Sequence, residues 1–208
     1  MSLVLFALRV RLFAELDAVA ERCRLEVAEA EATLHDAAAS GLVHHRDGAR
    51  PGWRLTPHGR TVGAARWRAE AVDGGQLPVI TAQYEAFRAL NRPFLEVCTA
   101  WQVRDLDAGI INDHSDPAHD AAVLDDLGEL DAQVGPICDR LSASMQRYGW
   151  YRPRFAAALG RARLGEIDAV AAPLSDSFHT VWFELHEDLL VTLDIDRADE
   201  RNRERIPT

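Results

Sequence analysis

The sequence predicts a mainly α-helical protein with two domains: three short helices and a two-stranded hairpin, followed by an all-α bundle. Apolar residues recur at helical spacing through most of the chain. Two short extended runs, separated by turn residues, lie between residues 42 and 55. The length of 208 residues suffices for two modest domains.

The clearest break between helical stretches is the segment 71–78, Ala-Val-Asp-Gly-Gly-Gln-Leu-Pro. Paired glycines and a proline interrupt helices, so this segment is expected to be a linker. The first domain is then predicted to span residues 1–70 and the second residues 79–208. The second stretch is long enough for a core of its own.

Charge is distributed unevenly between these parts. Residues 1–70 contain ten arginines and nine acidic residues, whereas residues 71–208 contain thirteen arginines and twenty-four acidic residues. Apolar residues make up 48% of the chain, which indicates a globular protein and excludes disorder or low complexity. The acidic second domain is expected to face away from any nucleic acid.

The cysteines and the N-terminal run predict a cytoplasmic protein that neither enters nor crosses a membrane. The three cysteines are Cys23, Cys98 and Cys138. Their odd number and their spacing favour reduced thiols over disulfides. Arg9 and Arg11 interrupt the apolar run over residues 3–13, and no small-residue cleavage site follows, which argues against a signal peptide or a spanning helix.

Apolar stripes predict three helices before residue 41. The stripes are Leu3, Phe6, Ala7 and Val10; then Leu16, Val19 and Ala20; then Leu25, Ala30, Leu34 and either Ala37 or Ala38. Gly41 is expected to end the third helix, because glycine adopts the left-handed conformation there without steric cost.

A hairpin and a fourth helix are predicted next. Residues 42–45 and 53–55 are extended runs, joined by a segment with Asp-Gly and Pro-Gly pairs that favour turns. Thr56 and Pro57 have the residue types of an N-cap and a first helical position.

The second domain is predicted to contain helices only. They are expected over residues 79–92, 93–103, 153–163 and 164–170, with a last helix capped by Ser175 and ending near Leu193. A seam of Leu127, Leu130, Val134, Ile137, Leu141, Met145 and Tyr148 keeps one phase across Pro136. It therefore predicts one long kinked helix that starts at Asp116.

The first domain resembles the winged helix-turn-helix domain of MarR-like bacterial transcription regulators. The resemblance covers about 60 residues and rests on Ser40-Gly41-Leu42-Val43 and on Gly52-Trp-Arg-Leu-Thr-Pro-His-Gly-Arg60. It implies a winged helix with a two-stranded wing and a transcription regulator that binds double-stranded DNA as a homodimer. Residues 79–208 are expected to form the all-α domain that dimerises and could sense a small molecule.

In that family the third helix enters the major groove. Here its outward positions are expected to be Ala28, Glu31, Ala32 and His35, which make an acidic face that could offer Glu31 to a cytosine. The wing is better suited to phosphates and the minor groove. The candidate DNA contacts are Arg22, Arg24, Glu31, His35, Arg46, Arg50 and Arg54.

Aromatic and histidine side chains of the second domain indicate either a ligand pocket or plain core. They are Trp101, Trp150, Tyr151, His179, Trp182 and His186. The ligand would be a small neutral or aromatic molecule, and no cofactor is expected. On the last helix, Thr180, Glu184, Glu187 and Asp188 are expected to point away from the apolar stripes.

Two further functions remain open. Because the third helix is acidic, the winged helix could instead be a protein-interaction or accessory module without sequence-specific DNA binding. A metal-dependent helical enzyme is the weaker alternative; it would use His114, His119, His179 and His186. No metal-ligand spacing supports that alternative. No catalytic motif is present, and Asp116-Pro117 has the residue types of a helix start.

Overall fold

The computed structural model describes residues 2–11, 13–48, 51–173, 175–197 and 200. These residues are mainly helical, with two small antiparallel sheets of two strands each. Within this part of the chain, no helix is both long and apolar enough to cross a membrane.

The chain divides into two compact units. The second unit is Gln76–His186, and the first combines the described residues up to Gly75 with those from Glu187 onward. This differs from the expected division, which placed everything after residue 79 in one domain. The C-terminal part of the chain belongs to the first unit instead.

The first unit contains three helices, a hairpin and a fourth helix, in the order expected. They are α1 (Ser2–Arg11), α2 (Leu16–Cys23), α3 (Val27–Ala39), β1 (Val43–Arg46), β2 (Gly52–Leu55) and α4 (Pro57–Asp73). Gly41 follows α3 with a φ of 69°, which confirms the left-handed helix end. The strands β1 and β2 pair antiparallel, with Val43 opposite Leu55.

Thr56 joins the end of α3 to the start of α4. Its Oγ1 accepts a hydrogen bond from the Gly59 N–H at 2.9 Å and donates one to the Gly41 carbonyl at 2.7 Å. Gly59 packs so closely on the preceding loop that a Cβ there would lie 1.8 Å from the Leu42 carbonyl oxygen. Thr56 is thus the N-cap that the sequence predicted, and Gly59 allows the contact.

The core of the first unit includes residues from each of the helices α1 to α4. Phe6 of α1 meets the Trp67 ring of α4 edge-on, with centroids 5.3 Å apart. Val19 of α2 and Leu34 of α3 are fully buried.

The second unit contains a hairpin as well as helices. Its elements are α5 (Leu77–Ala89), α6 (Asn91–Gln102), β3 (Val103–Asp105), β4 (Ile110–Ile111), α7 (Pro117–Ser144), a 3-10 helix (Gln146–Trp150), α8 (Tyr151–Arg163), α9 (Asp168–Ala171) and α10 (Phe178–Leu193). Helix α10 begins in the second unit and ends in the first.

The expectation of helices alone was wrong at residues 103–111. The Asp105 carboxylate accepts hydrogen bonds from the N–H groups of Asp107 and Ala108, and Gly109 follows with a φ of 64°. A turn held by a side-chain carboxylate and closed by a left-handed glycine stabilises two very short strands.

Helix α7 runs unbroken through Pro136, as the phase of its apolar seam predicted. Asp116 caps its start by accepting from the N–H groups of Ala118 and His119. The helix ends at Ser144, and Tyr148 lies in the following 3-10 helix.

The start of α10 lies two residues later than expected, at Phe178. Ser177 caps the helix, because its Oγ accepts from the Thr180 N–H at 3.1 Å. Ser175 instead donates to the Ala172 carbonyl, at 3.0 Å.

Candidate functional site

The first unit contains an open cleft of about 510 Å³ between α2, α3 and the hairpin. We call it the acidic cleft. Its lining consists of Glu15, Leu16, Asp17, Glu31, His35, His45, Pro51, Gly52 and Trp53. Three of these side chains are carboxylates, and none of the lining residues that the structure describes is an arginine or a lysine.

A backbone bridge places the start of α2 beside the hairpin. The N–H of Trp53 donates to the Ala14 carbonyl at 2.8 Å, and the N–H of Ala14 donates back at 3.1 Å. Glu15 and Asp17 follow directly, at the beginning of α2. Glu31 and His35 of α3 are one helical turn apart on the same face. This arrangement brings the carboxylates of Glu15 and Glu31, 16 positions apart in the sequence, to one cleft.

The indole of Trp53 lies between two imidazoles. The His35 ring meets it edge-on at a centroid distance of 5.4 Å, and the His45 ring lies 4.9 Å away. His45 Nδ1 is 2.9 Å from a carboxylate oxygen of Asp47. Carboxylates beside an aromatic ring are a chemical environment that favours a cation.

The exposed face of α3 is acidic beyond the cleft as well. The four outward positions predicted from the sequence, Ala28, Glu31, Ala32 and His35, are all exposed. Glu29 and Asp36 are exposed too, and the helix contains no arginine or lysine. A DNA backbone would therefore meet negative charge along this helix.

The structure does not support Arg22 as a DNA contact. Its side chain is only 7% exposed, and the guanidinium lies 4.9 Å from the centre of the Phe6 ring. A guanidinium packed against the core cannot reach a phosphate without leaving that position. Arg24, the other arginine expected at the end of α2, is exposed.

The hairpin presents basic side chains on its outer face. His44 lies opposite Arg54 in the strand pairing, and both are exposed. Arg46 is exposed as well, and its guanidinium lies 5.4 Å from the centre of the Phe13 ring. Arg50, the remaining candidate on the wing, lies outside the described residues.

Three of the predicted ligand-pocket aromatics are core residues. Trp101, Tyr151 and Trp182 are buried. Trp182 stacks on Phe94 at 4.3 Å, and its Nε1 donates to the Asn91 side chain at 2.9 Å. Their packing matches the plain-core alternative considered for them.

The other three candidates also contact side chains of the same unit. The His179 ring lies 5.9 Å from that of Phe94, and burial lowers the pKa of His179 below its usual value. His186 lies 5.6 Å from Phe87. The guanidinium of Arg154 lies 5.3 Å from the Trp150 ring.

The sequence analysis missed a buried ionic group in the second unit. Glu184, expected to point outward, is 1% exposed, and Arg154 of α8 binds both Glu184 and Asp176. Burial by itself lowers the pKa of Arg154. The two carboxylates raise the pKa by more than burial lowers it, so the net shift is upward. In the first unit, Asp188 was also expected to point outward but is buried beside Thr192.

The histidines of the segment 113–120 make local hydrogen bonds. His114 Nδ1 lies 3.0 Å from Asp120 Oδ2, and the Asn112 amide donates to the other Asp120 oxygen at 2.8 Å. His119 Nε2 lies 2.9 Å from the Ala100 carbonyl oxygen. In the part of the chain that the structure describes, no three histidine, cysteine or acidic side chains are placed to hold a metal ion.

Comparison with known proteins gives no relative for this chain. No family model matches the sequence, and neither the curated proteins nor the solved structures include a significant match.

Proposed function

We propose that this chain is a protein-interaction module in which a winged-helix unit binds a basic segment of a partner protein. The observation that carries the proposal is the convergence of Glu15, Asp17 and Glu31 on one cleft of about 510 Å³. Among the described residues of that lining, the two imidazoles are the only basic side chains.

An arginine side chain is the group that suits this cleft best. A guanidinium can donate paired hydrogen bonds to a carboxylate, and such charge-assisted bonds are about twice as strong as neutral ones. A guanidinium is also attracted to aromatic rings, and the lining contains the Trp53 ring.

The winged-helix assignment rests on element order and on the resemblance to MarR-like regulators. Three helices, a hairpin and a fourth helix follow one another, and the hairpin would be the wing. In a DNA-binding winged helix, α3 would enter the major groove. Glu29, Glu31 and Asp36 would then approach phosphates, at an electrostatic cost.

A DNA-binding transcription regulator is the second candidate, and one observation favours it. Arg46 and Arg54 are exposed on the outer face of the hairpin, with His44 beside them. These side chains could hold phosphates through the wing alone. Such binding would be weakly sequence-specific, because α3 would not contact bases.

Fluorescence anisotropy with a labelled octa-arginine peptide tests the first candidate. Replacing Glu15, Asp17 and Glu31 by Gln, Asn and Gln should weaken binding at least tenfold. The control removes three exposed carboxylates of α7 through Asp125→Asn, Asp126→Asn and Glu129→Gln. It matches the change in net charge and should leave affinity within about twofold. Equal losses in the two variants would contradict the proposal.

A random-sequence DNA duplex in the same assay tests the second candidate. Tight binding that falls steeply with salt and is lost in Arg46→Ala/Arg54→Ala would favour the regulator. The control replaces Arg140 and Arg163, two exposed arginines of the second unit, by alanine. If the protein-interaction proposal is correct, the wild-type protein should bind the duplex weakly. The variant that lacks the three cleft carboxylates should bind it more tightly.

A further inference from the structure

The second unit exposes large apolar side chains around its hairpin. Leu95 of α6 is 59% exposed, Leu106 of the turn 71% and Ile111 of β4 75%. Leu95, Val103 and Leu106 line one shallow depression of about 420 Å³, and Val103 lies opposite Ile111 in the strand pairing. We call Leu95, Val103, Leu106 and Ile111 the apolar patch: the first three line the depression, and Ile111 is the cross-strand neighbour of Val103.

The apolar patch does not contribute to the core of its own unit. Helix α6 buries Phe94, Val97, Cys98 and Trp101, so Leu95 lies on its other side. Burying exposed leucine and isoleucine side chains against a partner is favourable, because it removes apolar surface from water. A contiguous group of them typically marks an interaction surface.

The backbone around the apolar patch can form further hydrogen bonds. In the described residues, β3 and β4 pair only with each other, so each strand has an open edge. An open edge can pair with another strand. Two copies of the same strand can do so antiparallel about a twofold axis.

The rim of the apolar patch carries charges of both signs. Arg92 and Glu96 form an exposed ion pair with N···O 2.9 Å, and both line the same depression as Arg104. Asp105 and Asp107 follow Arg104 in the sequence and are exposed. A twofold axis through such a rim can place each arginine opposite a carboxylate of the other copy. A purely acidic or purely basic partner would meet like charges there.

We propose that the apolar patch and the open edges of β3 and β4 bind a second copy of this chain. The interface would be isologous, with Leu106 and Ile111 of both copies near its centre. The proposal concerns the second unit and is independent of the acidic cleft, so either can fail without the other.

Sedimentation velocity of the full chain, over about a hundredfold range of concentration, tests the proposal. Wild-type protein should sediment as a dimer at the higher concentrations. Leu106→Asp and Ile111→Asp should each weaken dimerisation at least tenfold. Both side chains are mostly exposed, so circular dichroism should show an unchanged fold. Leu106→Ser and Ile111→Ser serve as milder variants if either aspartate substitution impairs folding.

Leu164→Asp is the matched control, because Leu164 is 89% exposed and follows α8, away from the apolar patch in the sequence. It should dimerise like the wild type. A wild-type protein that is monomeric at every concentration would overturn the proposal, and so would dimers that persist in both aspartate variants.

Discussion

Arg9 and Glu187 lie 178 positions apart in the sequence, yet their side chains form a two-point ion pair. The Nε and Nη2 atoms of Arg9 donate to Glu187 Oε1 at 3.0 and 2.8 Å. The other Glu187 oxygen accepts from Arg197 Nε at 3.0 Å. One carboxylate therefore joins the first helix to the C-terminal part of the first unit.

Replacing Glu187 by glutamine should destabilise the first unit. The carboxylate is mostly buried and contacts two guanidinium groups. Its loss should lower the free energy of unfolding by about 1 to 3 kcal/mol, measured by urea denaturation. Glu85→Gln is the control, because it breaks a more exposed pair with Arg88 and should cost under about 0.5 kcal/mol. Equal losses in the two variants would show that Glu187 acts like an ordinary surface residue.

Gly59→Ala should be strongly destabilising, because its new methyl group would overlap the Leu42 carbonyl oxygen. Backbone must move to relieve an approach of 1.8 Å, at a cost of more than about 2 kcal/mol. Gly160→Ala provides the contrast: it lies within α8, with no atom within 4 Å of its new Cβ. That substitution should stabilise by about 0.5 to 1 kcal/mol. Thermal unfolding of both variants measures the difference. Similar unfolding midpoints for Gly59→Ala and Gly160→Ala would contradict the close approach of Gly59 to the Leu42 carbonyl.

Stability should fall as pH decreases below about 6.5, in part through His179. Burial lowers the pKa of His179 in the folded protein. Between the ordinary histidine value of about 6.5 and that lower value, the unfolded chain binds a proton that the folded chain does not. The free energy of unfolding therefore decreases as pH falls through this window. His179→Phe should show a smaller decrease in urea titrations from pH 7.5 to about 5. An equal decrease in the free energy of unfolding for the wild type and His179→Phe would contradict a lowered pKa of His179 in the folded protein.

The three cysteines should be unreactive in the folded protein. Burial raises the pKa of Cys23 to about 11, and those of Cys98 and Cys138 to about 12. The reactive species is the thiolate, so at pH 8 at least a hundredfold less of it is present than for an ordinary thiol. Iodoacetamide should label all three rapidly in urea and slowly without it. Rapid labelling of any one in the native protein would contradict its burial.

Local chemistry in the sequence predicted the ends of several elements. Gly41, Thr56 and Asp116 each act within a few residues of their own position, so residue type alone predicts the turn or the cap. The continuous helix through Pro136 was predictable because the apolar residues keep helical spacing on both sides of that proline. The sequence did not predict the hairpin at residues 103–111, because its strands are too short to show alternation of apolar and polar residues.

Burial of charged residues was not predictable from periodicity. A helical wheel places Glu184 on a polar face, but its partner Arg154 is 30 positions away on another helix. Arg22 likewise belongs to a polar stretch and packs on Phe6. The acidic cleft depends on the bridge between Ala14 and Trp53, and pairings at such separations leave no local pattern in the sequence.

The assignment of Glu187 to the first unit has a consequence for biosynthesis. Residues 2–75 emerge from the ribosome long before Glu187, whose carboxylate Arg9 binds, has been added to the chain. The N-terminal helices must therefore remain incompletely stabilised until residue 187 has been synthesised, which favours late completion of this unit over stepwise folding from the N-terminus.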